Sequence, residues 1–307
     1  MKQKQRSGPR VKDQLRSLEV RPTKERGQNF VIDPSVIEAI VGFGAPVAGE
    51  RVVEIGPGLG ALTAALAHLP NLTLIEIESK FCGELARRYP GATIVNADVR
   101  GVDFATLGRD LVVFGNLPYA FSTDIIFRLI DQAAVMKRAV LLLQREFAER
   151  LAAGPGGRTY GLLTVSCRIW ADARLGPIIP GTSFHPPAKV ESQVVELTFR
   201  REPRVPLEDI MWFKRFVAAC FLKRRKKIVN SLIASGLFSK ELIAERFAAC
   251  AVDTNRRAET LSLEEFATLA AAFPKPVGMV ALSRGARAEL LSPLDVAGVD
   301  GDGERDE

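Results

Sequence analysis

Histidine and cysteine are scarce, and that scarcity closes off several kinds of chemistry. His68 and His185 are the two histidines in 307 residues, too few for a histidine metal centre and few for an imidazole relay. The four cysteines, Cys82, Cys167, Cys220 and Cys250, stand far apart with no Cys-x-x-Cys pair. That spacing argues against a disulfide framework and against a cysteine zinc site, so no metal is expected and a reducing cytoplasm fits best. No apolar run approaches the ~18 residues of a membrane-spanning helix, so no membrane partner is expected. The N-terminal stretch MKQKQRSGPRVKDQLRS lacks the apolar segment of a secretory leader.

What is present is an ordinary globular composition, 47% hydrophobic and 25% charged. The length suits one large α/β domain and a smaller one, each with a sizeable core. The net charge of +6 matters less than its placement. Residues 1–29 carry nine Lys/Arg against three acids, and residues 214–227, KRFVAACFLKRRKK, carry seven basic residues and no acid. The final stretch, DVAGVDGDGERDE, is acidic and Gly-rich. Two separated basic clusters point to a polyanionic partner, although a solvated helix face and a loose leader give the same composition.

Along the chain, residues 1–26 lack periodicity and read as a flexible basic arm. Asp33-Pro34-Ser35 opens a helix, with Asp33 as cap and Pro34 in the first turn. A βα series follows. Strands are expected at Arg51–Ile55, Leu72–Ile77, Thr93–Val95, Leu111–Phe114 and Ala139–Leu143, with helices at Ala61–Leu69 and Lys80–Arg88. Unbroken Val/Ile/Leu strands alternating with helices mean a mostly parallel sheet covered on both faces. Leu162–Trp170 and Val194–Phe199 read as closing strands. After Arg204-Val205-Pro206 the texture turns to amphipathic helix. The expected organisation is therefore a domain over 27–204, a small all-helical domain over 205–273, and a disordered tail over 274–307.

The chemistry concentrates at strand ends. In Glu54-Ile-Gly56-Pro-Gly58-Leu-Gly60, glycines after the first strand let backbone turn sharply and approach a ligand with no Cβ in the way. Open parallel sheets bind ligands beyond the carboxyl ends of their strands. Gly56-x-Gly58-x-x-Ala61 also satisfies the relaxed dinucleotide fingerprint, and a tight βα turn explains it too. Glu76 ends the second strand twenty residues after Gly56. A carboxylate there accepts ribose hydroxyls in dinucleotide and S-adenosylmethionine sites alike; Glu78 shares its strand face, but Glu76 lies nearer the strand end. Asp98, after the third strand, suits either an adenine amine or a helix cap. At the end of the fourth strand comes Asn116-Leu117-Pro118-Tyr119. Asn116 offers a carbonyl acceptor, and Pro118 biases Leu117 so that its main-chain carbonyl becomes a second. Two acceptors suit an exocyclic amine with two N–H donors, and Tyr119 supplies a flat face for the ring that bears it.

Taken together, Gly27-Gln28-Asn29-Phe30, the glycine turn, Glu76, Asp98, Asn116-Leu117-Pro118-Tyr119 followed by Ser122-Thr123, and Phe184-x-Pro186-Pro187-x-Lys189-Val190-x-Ser192 resemble the rRNA adenine N6-dimethyltransferase family. The likeness covers roughly residues 22–273, and it is closest to the small-subunit (16S) enzymes. It implies a class I S-adenosylmethionine-dependent methyltransferase, Rossmann-like, with a small C-terminal all-helical domain. It implies Gln28, Asn29 and Asn116 beside the cofactor, Gly56 and Gly58 beneath its methionine end, Glu76 on the ribose and Asp98 on the adenine. Asn116 and the Leu117 carbonyl would hold the target amine, with Pro118 setting their geometry. Tyr119 and Phe184 would sandwich the target base; Phe184 alone reads equally as core, but beside His185-Pro186-Pro187 it is expected to be displayed. Lys223, Arg224, Arg225, Lys226 and Lys227 resemble the family's basic segment and would meet RNA phosphates. The expected substrate is rRNA within a small-subunit (30S) precursor, acted on by a monomer.

One departure stands out. Ala120-Phe121 occupies the place where the small-subunit enzymes usually carry Asn-Ile. The Erm large-subunit (23S) resistance methyltransferases often have an aromatic residue in that loop, which keeps their specificity as an alternative. A non-catalytic nucleic-acid-binding factor on the same fold is a second alternative, and a nicotinamide oxidoreductase a third that rests on the glycine turn alone.

Overall fold

Continuous runs of Val, Leu and Ile, buried on both faces, build the centre of the molecule. In the computed structural model, which describes residues 11–20, 29–223 and 225–275, the chain divides into two compact units. The first comprises the chain up to Ala153 together with Cys167–Arg204; the second comprises Gly154–Ser166 and the chain from Val205 on.

Among its described residues the first unit carries nine strands: β1 (Phe30–Val31), β2 (Arg51–Ile55), β3 (Leu72–Glu76), β4 (Thr93–Asn96), β5 (Leu111–Asn116), β6 (Met136–Gln144), β7 (Ala171–Ile179), β8 (Phe184–His185) and β9 (Ser192–Phe199). Seven form one sheet in the order β4-β3-β2-β5-β6-β9-β7, and β1 pairs with β8 separately. Strands β2 to β6 are mutually parallel, while β9 runs antiparallel to both β6 and β7. The helices of the described chain are α1 (Val11–Ser17), α2 (Pro34–Gly44), α3 (Ala61–Leu66), α4 (Ser79–Arg88), α5 (Ser122–Asp131), α6 (Arg145–Ala152), α7 (Leu162–Trp170), α8 (Ile210–Cys220), α9 (Ile228–Ser235), α10 (Lys240–Ala249) and α11 (Leu263–Ala272). Asp33 caps α2 by accepting the Ser35 N–H at 3.0 Å, with Pro34 at the first position, where its missing N–H does no harm.

Register positions the site. Ile55 pairs with Ile75 on one side and with Gly115 on the other, so β2, β3 and β5 end at one level. Whatever follows them in sequence emerges at one edge of the sheet.

Three expectations need correction. The leader is not a plain flexible arm within residues 11–20: Val11, Leu15 and Leu18 lie at helical spacing, and Leu15 is 3% exposed within the first unit's core. Interleaved basic residues mask that face in the sequence. Residues 1–10 and 21–26, the rest of the arm, lie outside the described residues, as do Gly27, Gln28 and the tail beyond residue 275. Leu162–Trp170 is the helix α7, not a strand. Leu163, Val165, Cys167 and Ile169 are buried, but so are Thr164 and Ser166, and a segment buried all round shows no readable period. Gly154–Ser166 also belongs to the second unit, where Tyr160 is buried with its ring 6.3 Å from that of Phe221 and Gly156 donates to the Glu259 carbonyl.

The described residues of the second unit are otherwise helical. Trp212, Phe216, Phe238 and Phe273 pack ring against ring, and the Trp212 indole N–H finds the Ala270 carbonyl at 2.8 Å. Asp209 caps α8, and Ser262 with Glu265 forms a reciprocal cap on α11.

At the opposite end of β2, Glu50 binds Lys137 and Arg138 at the start of β6. The Arg138 fork, with Lys137 beside it, holds the Glu50 carboxyl at about 2, against 4.5 for a free one. A lowered carboxylate contributes stability above its unfolded value and loses it as pH falls toward its folded one. Glu50→Gln is expected to lower unfolding free energy at pH 7 by about 2–3 kcal/mol. Urea titrations should show that deficit shrinking as pH falls from 4.5 toward 2.

Candidate active site

The turn after β2 sits on backbone that side chains avoid. Gly56, Gly58 and Gly60 have φ of +64°, +54° and +79°, the left-handed region where glycine is free of strain. A Cβ on Gly58 would also stand 3.1 Å from the Phe30 ring. Glu76 locks the turn. Its Oε2 accepts the Gly58 N–H at 3.0 Å, and its Oε1 accepts the Glu78 N–H at 2.9 Å. Each oxygen keeps a further lone pair, while burial pushes the carboxyl's pKa up.

At the end of β5, the Asn116 side chain has a fixed orientation. Its Nδ2 donates to the Asn29 carbonyl at 2.8 Å, which leaves Oδ1 as the free acceptor. The Leu117 side chain is buried and its N–H bonds the Leu142 carbonyl, so this stretch of backbone is pinned from below. Pro118, at φ −62° and ψ 127°, turns the chain outward. The Tyr119 hydroxyl lies 2.6 Å from Ser192 Oγ, which fixes the ring and accounts for the serine that ends the Phe184–Ser192 motif.

Phe184 does not join this group. It is 1% exposed and lies in the first unit's core. Strand β8 pairs with β1 through Val31–Phe184 and Phe30–His185, and the pleat turns Phe184 inward and His185 outward. The expectation of a displayed ring is therefore corrected. Gln28 and Arg224 lie outside the described residues. Lys223, Arg225, Lys226 and Lys227 are exposed between α8 and α9 of the second unit. Ser231 holds that loop through both the N–H and the carbonyl of Lys223.

A cavity of about 440 Å³ collects the rest, a size suited to a small-molecule cofactor. Asn29, Gly56, Gly58, Glu76, Asp98 and Asn116 all line it, as do Leu117, Pro118 and Tyr119. Asp98 is a cap and a lining residue at once. It caps the turn Val99–Gly101 through the Arg100 N–H and still faces the cavity. The Arg100 guanidinium holds its carboxyl below the ordinary carboxylate range. Several lining residues escaped sequence reasoning, among them Ile77, 55% exposed, Arg100, and Val11 and Gln14 of α1. Parity along β3 could have flagged Ile77; α1 is too short for its period to stand out.

Glu54 is the lining residue with the most unusual state. It is 2% exposed, and its Oε2 has no hydrogen-bond partner. Burial pushes its pKa up to about 8, so it is neutral at pH 7. A cation placed beside that orphaned oxygen favours the ionised carboxylate and offsets the cost of burying it. A cofactor with an ammonium and a sulfonium at one end and an adenosine at the other fits the residues present.

A mostly parallel sheet with a glycine turn, a buried acid at the end of β3 and a fixed asparagine at the end of β5, together with the family match that follows, defines the class: this is a class I S-adenosylmethionine-dependent methyltransferase. The family model for ribosomal RNA adenine dimethylase matches residues 21–275. The chain belongs to that family. A ribosomal RNA small subunit methyltransferase A of Syntrophotalea carbinolica is 41% identical over 254 residues, covering 81% of this chain and 96% of that one. The protein of the same name from Myxococcus xanthus is 41% identical over 263 residues, covering 84% and 93%. Among solved structures, a dimethyladenosine transferase from Plasmodium falciparum superposes with a TM-score of 0.69 at 24% identity, covering 78% of this chain and 95% of that one. The 23S rRNA methyltransferase ErmE reaches 0.62 at 22%, covering 80% and 99%; at that identity these two speak for the fold alone.

Glu54 carries a pH signature. Because its folded pKa lies above the unfolded 4.5, it withdraws stability as pH rises from 4.5 to about 8. A cationic cofactor reverses the preference, so binding S-adenosylmethionine at pH 7 should expel up to about one proton. Calorimetry in two buffers of different ionisation enthalpy measures it. Glu54→Gln should abolish the release.

Proposed function

We propose that this chain transfers methyl groups from S-adenosylmethionine to the N6 amines of two adjacent adenines in small-subunit (16S) rRNA, giving N6,N6-dimethyladenosine. Membership of the ribosomal RNA adenine dimethylase family supports the reaction, and the small-subunit names of the 41%-identical relatives support the substrate. The observation that carries it is the fixed Asn116 amide at the cavity, with Nδ2 spent on Asn29 and Oδ1 left to accept.

The physical difficulty is that an aryl amine is a poor nucleophile, its lone pair being delocalised into the ring. Asn116 Oδ1 and the Leu117 carbonyl take the two N–H bonds in a geometry that favours a tetrahedral nitrogen, and this localises the pair. Bound S-adenosylmethionine supplies an electrophilic methyl on a sulfonium. No base is needed beforehand, because the nitrogen sheds its proton after the displacement. Tyr119, held by Ser192, stacks the extruded base and returns roughly 1–3 kcal/mol against the few kcal/mol of unstacking. Gly56 and Gly58 hold the methionine end, Glu76 the ribose and Asp98 the adenine. Asn29 keeps Asn116 in place. Gln28 and Arg224 keep the roles that the family likeness gives them, beside the cofactor and on RNA phosphates.

Lys223, Arg225, Lys226 and Lys227 meet phosphates, giving affinity and salt dependence without reading sequence. A monomer acting in the cytoplasm on a small-subunit precursor fits this division of labour. Among the described residues no helix is long and apolar enough to cross a membrane.

Mass-spectrometric mapping of methyladenines on both ribosomal subunits, with and without the gene, tests the proposal. Two adjacent dimethyladenines should vanish from small-subunit rRNA alone; loss from the large subunit, or no loss, refutes it. Asn116→Ala should slow transfer by about 10²–10³-fold and weaken binding of S-adenosylhomocysteine by only about threefold.

A further inference from the structure

Arg100 is the lining residue whose contacts the proposed reaction leaves unexplained. It reaches from the turn after β4 to the start of α5. Its Nε and Nη2 grip both oxygens of Asp98 at 2.6–3.1 Å. Its Nη1 lies 3.7 Å from the Asp124 carboxylate on α5. Its guanidinium lies over the Phe121 ring, 4.6 Å from the centroid. Asp98, Arg100 and Phe121 all line the cavity.

With a carboxylate on either side, this guanidinium has little charge left for a phosphate. Its geometry suits a different task. A planar fork on one edge of a carboxylate leaves the remaining lone pairs in a fixed direction. The aromatic face beneath restrains the fork itself, through an attraction that an aliphatic side chain does not supply. Phe121 is the residue that stands where the small-subunit enzymes usually carry isoleucine.

We propose that Arg100 and Phe121 act as one positioning unit that fixes the Asp98 carboxylate and thereby sets the cavity's preference for a 6-amino purine. This rests on the reading of Asp98 as the acceptor of the cofactor's adenine amine. A fixed carboxylate accepts from an amine and repels a carbonyl oxygen at the same place. A carboxylate held at one oxygen alone, by the backbone N–H of residue 100, discriminates less, because its other oxygen can turn away from the carbonyl.

The measurement is the ratio of dissociation constants for S-adenosylhomocysteine and its hypoxanthine analogue S-inosylhomocysteine, by calorimetry on the full chain. A ratio taken on one protein sample is insensitive to the fraction that is folded. Wild type should prefer the amino form by about tenfold or more. Arg100→Leu and Phe121→Ile should each reduce the preference at least about threefold. The double variant should fall no further than the weaker single variant, because the two residues act through one contact. Phe121→Tyr, which keeps the aromatic face, should retain the preference. If Asp98→Ala erases the preference while Arg100→Leu and Phe121→Ile leave it intact, the positioning unit is refuted and the reading of Asp98 stands. If Asp98→Ala leaves the preference intact, that reading fails and the unit with it. Independent, multiplying losses in the double variant would refute the claim that the two act as one.

Discussion

The hydrogen bond from the Gly58 N–H to the Glu76 carboxylate, at 3.0 Å, fixes the ligand edge of this protein. With the Gly56 N–H on the Ile75 carbonyl at 2.9 Å, it ties the turn after β2 to the end of β3. The bond needs a glycine, because the donor sits at φ +54° and a Cβ would press on Phe30. It also needs an acid that is buried yet ionisable, since a second oxygen must hold Glu78 and both must keep lone pairs for a ligand. The Asn116–Asn29 bond repeats the device at the end of β5, where a side-chain amide ties a strand end to the segment preceding β1. The cavity is thus framed by loops cross-linked to one another above core residues such as Ile40, Leu62 and Phe81.

That arrangement explains what the sequence made legible. Parallel strands buried on both faces leave continuous apolar runs, so β2, β3, β5 and β6 could be read directly, and with them the edge at which function collects. The glycine turn, Glu76 and Asn116-Leu117-Pro118-Tyr119 were legible because each breaks an apolar strand with residues that packing does not require. What stayed hidden was governed by packing. Leu162–Trp170 is buried all round and shows no period, and α1 offers too few turns to establish one. Phe184 illustrates the same limit: a stiff proline loop says that the segment is shaped, and only the β1–β8 pairing says which way the ring faces.

Electrostatics divides the labour in a similar way. At the sheet edge, charge is used sparingly and under constraint. Glu54 is buried and neutral, Glu76 is saturated by backbone donors on one side, and Asp98 is gripped by Arg100. Each presents a limited number of lone pairs in a defined direction, which is what recognition of a small polar molecule needs. In the second unit, Lys223, Arg225, Lys226 and Lys227 are exposed on a loop held by Ser231 at the Lys223 backbone and by the Lys227 ammonium, which donates to Asn255 Oδ1 at 2.6 Å. Exposed cations of this kind meet a phosphate backbone without specifying bases. Selectivity for the base therefore has to come from the first unit's cavity and the loop that follows β5.

Within that loop the residues separate by what they answer to. In the proposed reaction Asn116, Leu117 and Pro118 answer to the reacting amine, whose geometry is the same on any adenine, so their identity is readable without a structure. Tyr119 answers partly to Ser192, over seventy residues away. Phe121 answers to Arg100, a partner that no spacing rule links to it and that follows a different strand. An aromatic residue there reads, from sequence alone, as a hint of another RNA target. Its contact instead lies with the Arg100 guanidinium that grips Asp98. The aromatic residue thus has a local physical role that requires no change of RNA.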